Sequence, residues 1–305
     1  MPPELAVVVG NFEGEELLAD CLGSVREQTL APAEVLVVDA SSSDRSVAVA
    51  EQLGARVLLR ENRGLGYLYN EGVRAARAPY VMLANNDVAL DGRCLELLAA
   101  ELDRDERRFA ADPRQLDWSG ERVVHARAML KRGPLLRQPL PGFRLDLCVP
   151  ADAVVPTVSA NGGAMLVRRE RLLELGGFDE TMFMDFEDID LCWRAWQRGW
   201  ESVYVPDAFV RHHVGAVTAP GAALTRRLVS SHHNLMRFAL KCFPAREAAR
   251  VVGGELLRLP RHPRLVAPAL LQLSGELPAI MRGRRASPPR RAFSRWVLDG
   301  MPERG

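Results

Sequence analysis

The chain has 305 residues, enough for one large α/β domain or for a catalytic domain with an appendage, because single cores stop growing near about 250–300 residues. Hydrophobic residues make up 48% and charged residues 26%, which excludes a disordered, collagen-like or coiled-coil chain. Forty Lys and Arg against thirty-nine Asp and Glu leave a net charge of +1, so no global basic field marks a nucleic-acid binder.

The first apolar run, Leu5 to Val9, is short and β-branched at its end and is followed by the polar turn Gly10–Gly14, the pattern of a buried parallel strand. Leu17, Leu18, Cys21, Leu22 and Val25 then recur at helical spacing. Val35 to Val38 ends at Asp39 and a Ser-rich turn, and Ser46 to Leu53 is again helical. Two strand–turn–helix units in succession predict a βαβ crossover and a doubly wound, mostly parallel sheet flanked by helices. Val57 to Leu59 gives a third strand, Tyr69 to Arg77 a helix that Pro79 terminates, and Tyr80 to Ala84 a fourth strand. Residues 104–157 carry mixed charge, six prolines (113, 134, 139, 141, 150 and 156) and little periodicity, and read as irregular cover for the sheet edge. Asn161-Gly162-Gly163 precedes a strand at Ala164 to Val167, and Arg169 to Gly176 is a short helix. Asp185 to Asp190 leads into a helix burying Ile189, Cys192, Trp193 and Trp196. Val203–Val205 and Ala208–Val210 are strand-like and end at Arg211-His212-His213. Beyond Pro244 the texture changes to Leu and Val interleaved with Arg and broken by six prolines, which predicts a basic extension of amphipathic helical pieces, with His232 and His233 before it as surface or packing residues. Residues 241–305 carry roughly +8 and the first 240 roughly −7, so the tail is suited to an anionic surface.

The five cysteines, Cys21, Cys94, Cys148, Cys192 and Cys242, are odd in number and never in CxxC spacing, which fits a reducing compartment and no structural zinc. The N-terminal Met-Pro-Pro-Glu lacks a basic n-region and a long apolar segment, and no run approaches about 18 apolar residues. A cytosolic protein is expected.

In open α/β sheets ligands gather beyond the carboxyl ends of the strands. Three polar clusters fall there: Asn11–Glu13, Asp39–Asp44 and Asn85–Asp87. Neither the GxGxxG fingerprint nor the GxxxxGK[ST] phosphate loop is present. Asp87 closes an apolar strand and can either bind a hard divalent cation or simply form a turn. Glu187, Asp188 and Asp190 stand at a helix N-terminus, where carboxylates cap favourably or, partly desolvated beside aromatic side chains, act as a general base. His212 and His213 end a strand and point to opposite faces, so one can meet a cleft as a metal ligand while the other does not.

Taken in order, Val7-Val8-Val9-Gly10-Asn11-Phe12, Val37-Val38-Asp39-Ala40-Ser41-Ser42-Ser43-Asp44, Asn62-Arg63-Gly64 with Asn70-Glu71-Gly72, Asn85-Asn86-Asp87, Gly176-Gly177-Phe178-Asp179-Glu180, Glu187-Asp188-Ile189-Asp190-Leu191 and a downstream His resemble the family 2 glycosyltransferases of GT-A fold, in particular their rhamnosyltransferase-like branch. The resemblance spans residues 5–215. It implies a GT-A domain over 1–243, with a nucleotide-binding part at 1–103 and an acceptor and catalytic part at 158–215, followed by a helical extension at 244–305. It also implies inverting, metal-dependent transfer of a sugar, with rhamnose a candidate, from a nucleotide diphosphate sugar to a hydroxyl of a glycan or lipid-linked acceptor in cell wall polysaccharide or glycolipid assembly. By the same resemblance Asn11, Glu13 and Asp39 line the nucleotide pocket and Arg63 and Asn70 lie near the diphosphate. Asp87 binds Mg²⁺ or Mn²⁺ with a second ligand from His212 or His213. Asp188 is the base, Glu187 supports it or contacts the acceptor, and Gly162-Gly163 leave room for the donor sugar. The chain departs from the pattern at Gly10, Glu13, Ala40 and Asn86. A nucleotidyltransferase is disfavoured because the loop after the first strand carries Glu13 and no Lys or Arg. A non-catalytic, ligand-binding relative is disfavoured because Asp87 and Asp188 are both present. Relatives that act on lipid-linked acceptors make the basic tail a candidate for peripheral contact with the inner face of the plasma membrane.

Overall fold

Uninterrupted apolar runs become strands covered on both faces, except at the sheet edge, where Arg56 and Leu59 stay exposed. In the computed structural model these are β1 (Leu5–Asn11), β2 (Glu34–Asp39), β3 (Arg56–Leu59) and β4 (Tyr80–Asn85), with helices α1 (Glu15–Arg26), α2 (Ser46–Gln52) and α3 (Leu65–Ala75) between them. The structure describes residues 4–132, 143–213 and 222–286; the N-terminal Met-Pro-Pro, Pro134, Pro139, Pro141 and the end of the basic tail with Pro288 and Pro289 lie outside the described residues. Successive side chains of β1 point to opposite faces. Val7 and Val9 join Leu18, Leu22 and Val25 of α1 in one core. Ala6 and Val8 join Leu68, Tyr69 and Val73 of α3 in the other.

The remaining elements are β5 (Val88–Leu90), α4 (Cys94–Asp103), β6 (Arg108–Asp117), β7 (Val123–His125), β8 (Arg127–Arg132), β9 (Phe143–Val149), β10 (Val155–Pro156), β11 (Ala164–Arg168), α5 (Arg169–Glu174), α6 (Glu187–Gln197), β12 (Glu201–His212), α7 (Ala222–Cys242), α8 (Ala245–Arg258) and α9 (Pro263–Ala286). The main sheet runs β10-β12-β6-β11-β4-β1-β2-β3, with β5 on β12 and β7 on β6, and β8 and β9 form a separate pair. Its β3-β2-β1-β4 half is parallel. Beyond β4 it is mixed: β11 runs antiparallel to β4 and β6, while β12 runs parallel to β6.

Three expectations need correction. Residues 108–117 are no irregular edge cover: β6 lies inside the sheet between β11 and β12. Asp112 and Gln115 are buried there with partners, so the strand has the polarity of a loop. The two strand-like runs near 203 and 208 are one strand, β12, whose pairing with β6 shifts between Val205 and Phe209. Pro268 and Pro278 do not break the tail, because α9 runs through both. Its Ala269, Leu273 and Ile280 pack on Met236 of α7, and this burial outweighs the lost backbone bonds.

The C-terminal helices are joined to the sheet through α7. Trp193 of α6 meets Phe238 edge to face with centroids 5.6 Å apart. Packing is continuous across residue 244, with Phe238, Phe243, Ala248 and Val251 in one cluster. His232 and His233 are packing residues, bonded to Glu255 (2.6 Å) and Glu276 (3.0 Å) respectively. No described helix is long and apolar enough to cross a membrane.

Candidate active site

The carboxyl ends of β1, β2 and β4 are tied by one polar web. Asn11 Nδ2 donates to Asp39 Oδ2 (2.6 Å), and Asn86 Nδ2 donates to Asn11 Oδ1 (2.7 Å). Asp39 also accepts from the backbone and hydroxyl of Ser42, both at 2.8 Å. Exposed Glu13 turns in the left-handed region and accepts from Ser43. Asn11 and Asp39 are thus buried braces of the loops that flank the β1 and β2 ends, and Glu13 stands at their open edge.

Arg63 is half exposed, 3.0 Å from Glu180 and stacked over Tyr67. Asn70 is placed differently from a diphosphate contact. It is buried, its Nδ2 donates to Phe178 O and to Glu180, and its Oδ1 accepts from Phe178 N (2.8 Å). It therefore clamps the Gly176–Glu180 turn onto α3. A Cβ on Gly177 would lie 2.3 Å from Asn70 Oδ1, at a backbone φ of +77°. Gly177→Ala is expected to cost about 2–4 kcal/mol from left-handed strain and overpacking together; urea denaturation with an unchanged m-value measures it, and a loss under about 1 kcal/mol would refute the clamp.

Asp87 follows β4 and is buried. Its Oδ1 accepts no hydrogen bond and faces His212 Nε2 at 3.3 Å. His212 Nδ1 lies 2.8 Å from Gln115 Oε1, which can only accept, so Nδ1 carries a proton and in the neutral ring Nε2 presents its lone pair. Two lone pairs facing each other in a buried place suit a shared hard cation. His213 is excluded as the partner: its ring stacks on Trp118 at 4.0 Å, and only its backbone N–H reaches Asp87 O. Adjacent strand side chains point to opposite faces, which is why the two histidines part. Among the described residues no group of three or more His, Cys, Asp or Glu could hold a metal, so further ligands would come from a bound diphosphate or water.

Glu187 and Asp188 open α6, immediately after Asp185 and Phe186, both in the left-handed region. That strained pair is held by α7, where Arg227 and Ser231 bond the Asp185 carboxylate and Asn234 Nδ2 bonds the carbonyls of 184 and 185. Burial pushes the Glu187 carboxyl well above the usual range, the Asp188 charge adds to this, and Glu187 Oε2 has no hydrogen bond. Burial raises Asp188 too, though less, because the N–H groups of Gly162 (2.8 Å) and Ile189 (2.7 Å) bond the carboxylate and oppose it. Both carboxyls are thus raised, Glu187 the further of the two, so Glu187 keeps its proton to higher pH and Asp188 is the readier to ionise. Asp190 belongs elsewhere: burial alone would raise it, but Lys241 and Arg194 overcome this and hold it below the ordinary range.

The Asn161–Gly163 turn joins the two halves. A Cβ at Gly162 would lie 3.4 Å from both Asp188 Cβ and Glu187 Oε1, and one at Gly163 would lie 3.2 Å from His212 Cε1. Gly163 leaves no room for a side chain beside Asn161 Oδ1 (2.9 Å from such a Cβ) and His212, and the turn packs against Asp188 and Glu187 on its Gly162 side. Tyr69 supports it from below, its hydroxyl 2.8 Å from Gly162 O and 2.9 Å from Asn85 Oδ1. Sequence reasoning missed Tyr69, Gln115, Asp112 and His125. The only signal was a pair of polar residues just after the apolar Phe109-Ala110-Ala111.

Such a polar cluster at the strand ends of a parallel half-sheet, with a mixed half beyond, is the architecture of a GT-A transferase. Residues 6–147 match the model of glycosyl transferase family 2. An N-acetylglucosaminyl-diphospho-decaprenol L-rhamnosyltransferase of Mycobacterium tuberculosis is 32% identical over 238 residues, covering 70% of this chain and 77% of the relative. The chain belongs to glycosyl transferase family 2, in its rhamnosyltransferase-like branch, and is a glycosyltransferase. Among solved structures, GalNAc-T7 with UDP, GalNAc and Mn²⁺ aligns with a TM-score of 0.61 at 17% identity, over 78% of this chain and 48% of that one. The Pyrobaculum calidifontis mannosyltransferase PcManGT with GDP-Man and Mn²⁺ aligns with a TM-score of 0.55 at 17% identity, over 96% and 78%. At that identity the two show the shared fold.

Proposed function

We propose that the chain transfers a sugar, with rhamnose the first candidate, from a nucleotide diphosphate donor to a hydroxyl of a lipid-linked or glycan acceptor with inversion. The observation that carries this reading is the single turn, Gly162-Gly163, with the Asp188 carboxyl on one side and the Asp87–His212 pair on the other. Asp188 takes the acceptor proton as the hydroxyl attacks the anomeric carbon from the face opposite the leaving diphosphate. The N–H of Gly162 holds Asp188 Oδ2 in place for that step. Glu187, neutral, donates a hydrogen bond towards the acceptor. Asp87 and His212 would hold Mn²⁺ or Mg²⁺, which supplies positive charge to the departing diphosphate. Arg63, in the loop that leads into α3, adds to that charge, while Asn11, Asp39 and Glu13 shape the nucleotide pocket. Residues 1–103 thus serve the donor and 158–215 the acceptor, within a catalytic unit over 1–243. The relative's name, which specifies a diphospho-decaprenol acceptor, favours a lipid-linked acceptor here.

The test is transfer from dTDP-, UDP- and GDP-sugars to a polyprenyl-diphosphate-linked N-acetylglucosamine with Mn²⁺ or Mg²⁺, read as protein-dependent nucleotide release together with the acceptor product. Absence of product with every donor would overturn the reading.

The extension over 244–305 is proposed to touch anionic lipid at the cytoplasmic face of the membrane. On α8 a hollow of about 560 Å³ is lined by Arg246, Arg250, Leu256 and Leu257, both leucines half exposed. Each basic residue near such a surface contributes about 1 kcal/mol. Deleting residues 241–305 would remove Lys241 from Asp179 and Asp190, so surface changes are the better probe. Leu256→Asp with Leu257→Asp is expected to abolish flotation with phosphatidylglycerol vesicles without altering the melting temperature; unchanged flotation would discard this role.

A further inference from the structure

Behind the Asn161–Gly163 turn lies a buried pair that the mechanism above leaves unused. His125 is 4% exposed and Asp112 is 0% exposed. His125 Nε2 is 3.0 Å from Asp112 Oδ2, and Asp112 Oδ1 accepts the backbone N–H of Asn161 at 3.1 Å. On the other side of the ring, Nδ1 faces Asn161 Nδ2 at 3.5 Å, and Asn161 Oδ1 accepts the N–H of Gly163 at 2.8 Å. The donors and acceptors form one directed chain. The Gly163 N–H can only donate, so Asn161 Oδ1 accepts it and the Asn161 NH₂ is the end that faces Nδ1, which places the proton of the neutral ring on Nε2, toward Asp112. Nδ1 then offers a lone pair, which the Asn161 amide meets with its NH₂.

We infer that Asp112 and His125 are positioning residues for sugar transfer: they fix the His125 tautomer and the Asn161 amide, and so hold the turn that sets Asp188 against the Asp87–His212 pair. The inference rests on the proposed roles of Asp188 and Asp87. Two features argue for a role in the site rather than in general packing. The dyad ends on the same three-residue turn whose next N–H, that of Gly162, bonds the base. Strand β6 also supplies Gln115 to His212, so one strand buttresses both halves of the site.

Asp112→Asn tests the chain of bonds with almost no change of volume. The Asn can still accept from Asn161 N–H through its oxygen, but its NH₂ then faces His125 Nε2 and drives the ring proton to Nδ1. That proton meets the Asn161 NH₂, and relief requires the amide to turn, which sets donor against donor at Gly163. A displacement of about 1 Å at a reacting group costs on the order of 100-fold. The expected result is a kcat for transfer lowered about 100-fold with donor KM and nucleotide diphosphate Kd within about threefold of wild type. His125→Gln keeps an Nε2–H for Asp112 and an acceptor for Asn161, and is expected to retain kcat within about tenfold, whereas His125→Leu falls with Asp112→Asn. Hydrogen–deuterium exchange supplies a readout independent of activity: the amides of Gly162 and Gly163 should exchange at least about tenfold faster in Asp112→Asn and not in His125→Gln. The inference is overturned if Asp112→Asn keeps both kcat and amide protection. It is equally overturned if kcat, nucleotide affinity and melting temperature fall together, or if Gln and Leu at position 125 lose kcat alike. Should the wild-type chain transfer no sugar, the proposed function fails, and exchange at Gly162 and Gly163 still decides whether the dyad holds the turn.

Discussion

Asp188→Asn is expected to lower kcat for sugar transfer by roughly 10²–10⁴-fold, the range that a positioned general base contributes, while donor KM and nucleotide affinity stay near wild type. The amide has nearly the shape of the carboxylate and its oxygen can still accept the Gly162 N–H, which keeps the turn in place, while its NH₂ then faces the Ile189 N–H and adds a local donor–donor mismatch to the loss of the proton acceptor. Glu187→Gln sharpens the assignment. Burial and the Asp188 charge push the Glu187 carboxyl well above the usual range, so an amide there replaces the group that is harder to ionise and should cost less than about tenfold. A Glu187→Gln variant as impaired as Asp188→Asn would exchange the two roles. The pH profile carries the same sign. The base works deprotonated, and burial raises its carboxyl, so kcat should fall as pH drops through a limb above the ordinary aspartate range. In Asp188→Asn that acid limb should vanish from the residual rate.

How much of this could be read from sequence depended on whether a residue's job left a pattern. Leu5–Val9, Val35–Val38 and Tyr80–Ala84 were legible because strands buried on both faces are apolar throughout, and the polar residues that follow them mark the strand ends where ligands bind. Asp87 and the Glu187-Asp188 pair were legible for the same reason, as carboxylates at element ends. β6 was not, because Asp112, Pro113 and Gln115 interrupt its apolar run. Asp112 and Gln115 are buried with partners that come from β7 and β12, and no local pattern reveals a partner so far along the chain. Asn70 shows the converse. Its place in the motif was found, but its amide is spent on Phe178 and Glu180, which position alone does not distinguish from a ligand contact. α9 carries Pro268 and Pro278 in a helix whose burial on α7 decides the outcome, again a tertiary effect over a local one.

The Asp87–His212 pair yields the other large effect. Removing the carboxylate in Asp87→Ala is expected to reduce kcat by roughly 10²–10³-fold, as for loss of one preorganised electrostatic partner of a developing charge, and to abolish measurable Mn²⁺ binding in the presence of nucleotide diphosphate. The adjacent histidines make the internal control. His212 presents Nε2 to Asp87, whereas His213 stacks on Trp118; His212→Ala should therefore weaken Mn²⁺ severely and His213→Ala should leave its affinity within about threefold. Gln115→Leu removes the acceptor that fixes the His212 tautomer and should cost about 10–100-fold in Mn²⁺ affinity without removing any ligand. Isothermal titration of Mn²⁺ into the nucleotide complex reads all four variants without turnover. Equal losses at His212 and His213, or an unaffected Asp87→Ala, would move the cation away from the β4 end and with it the charge that faces Asp188 across the turn.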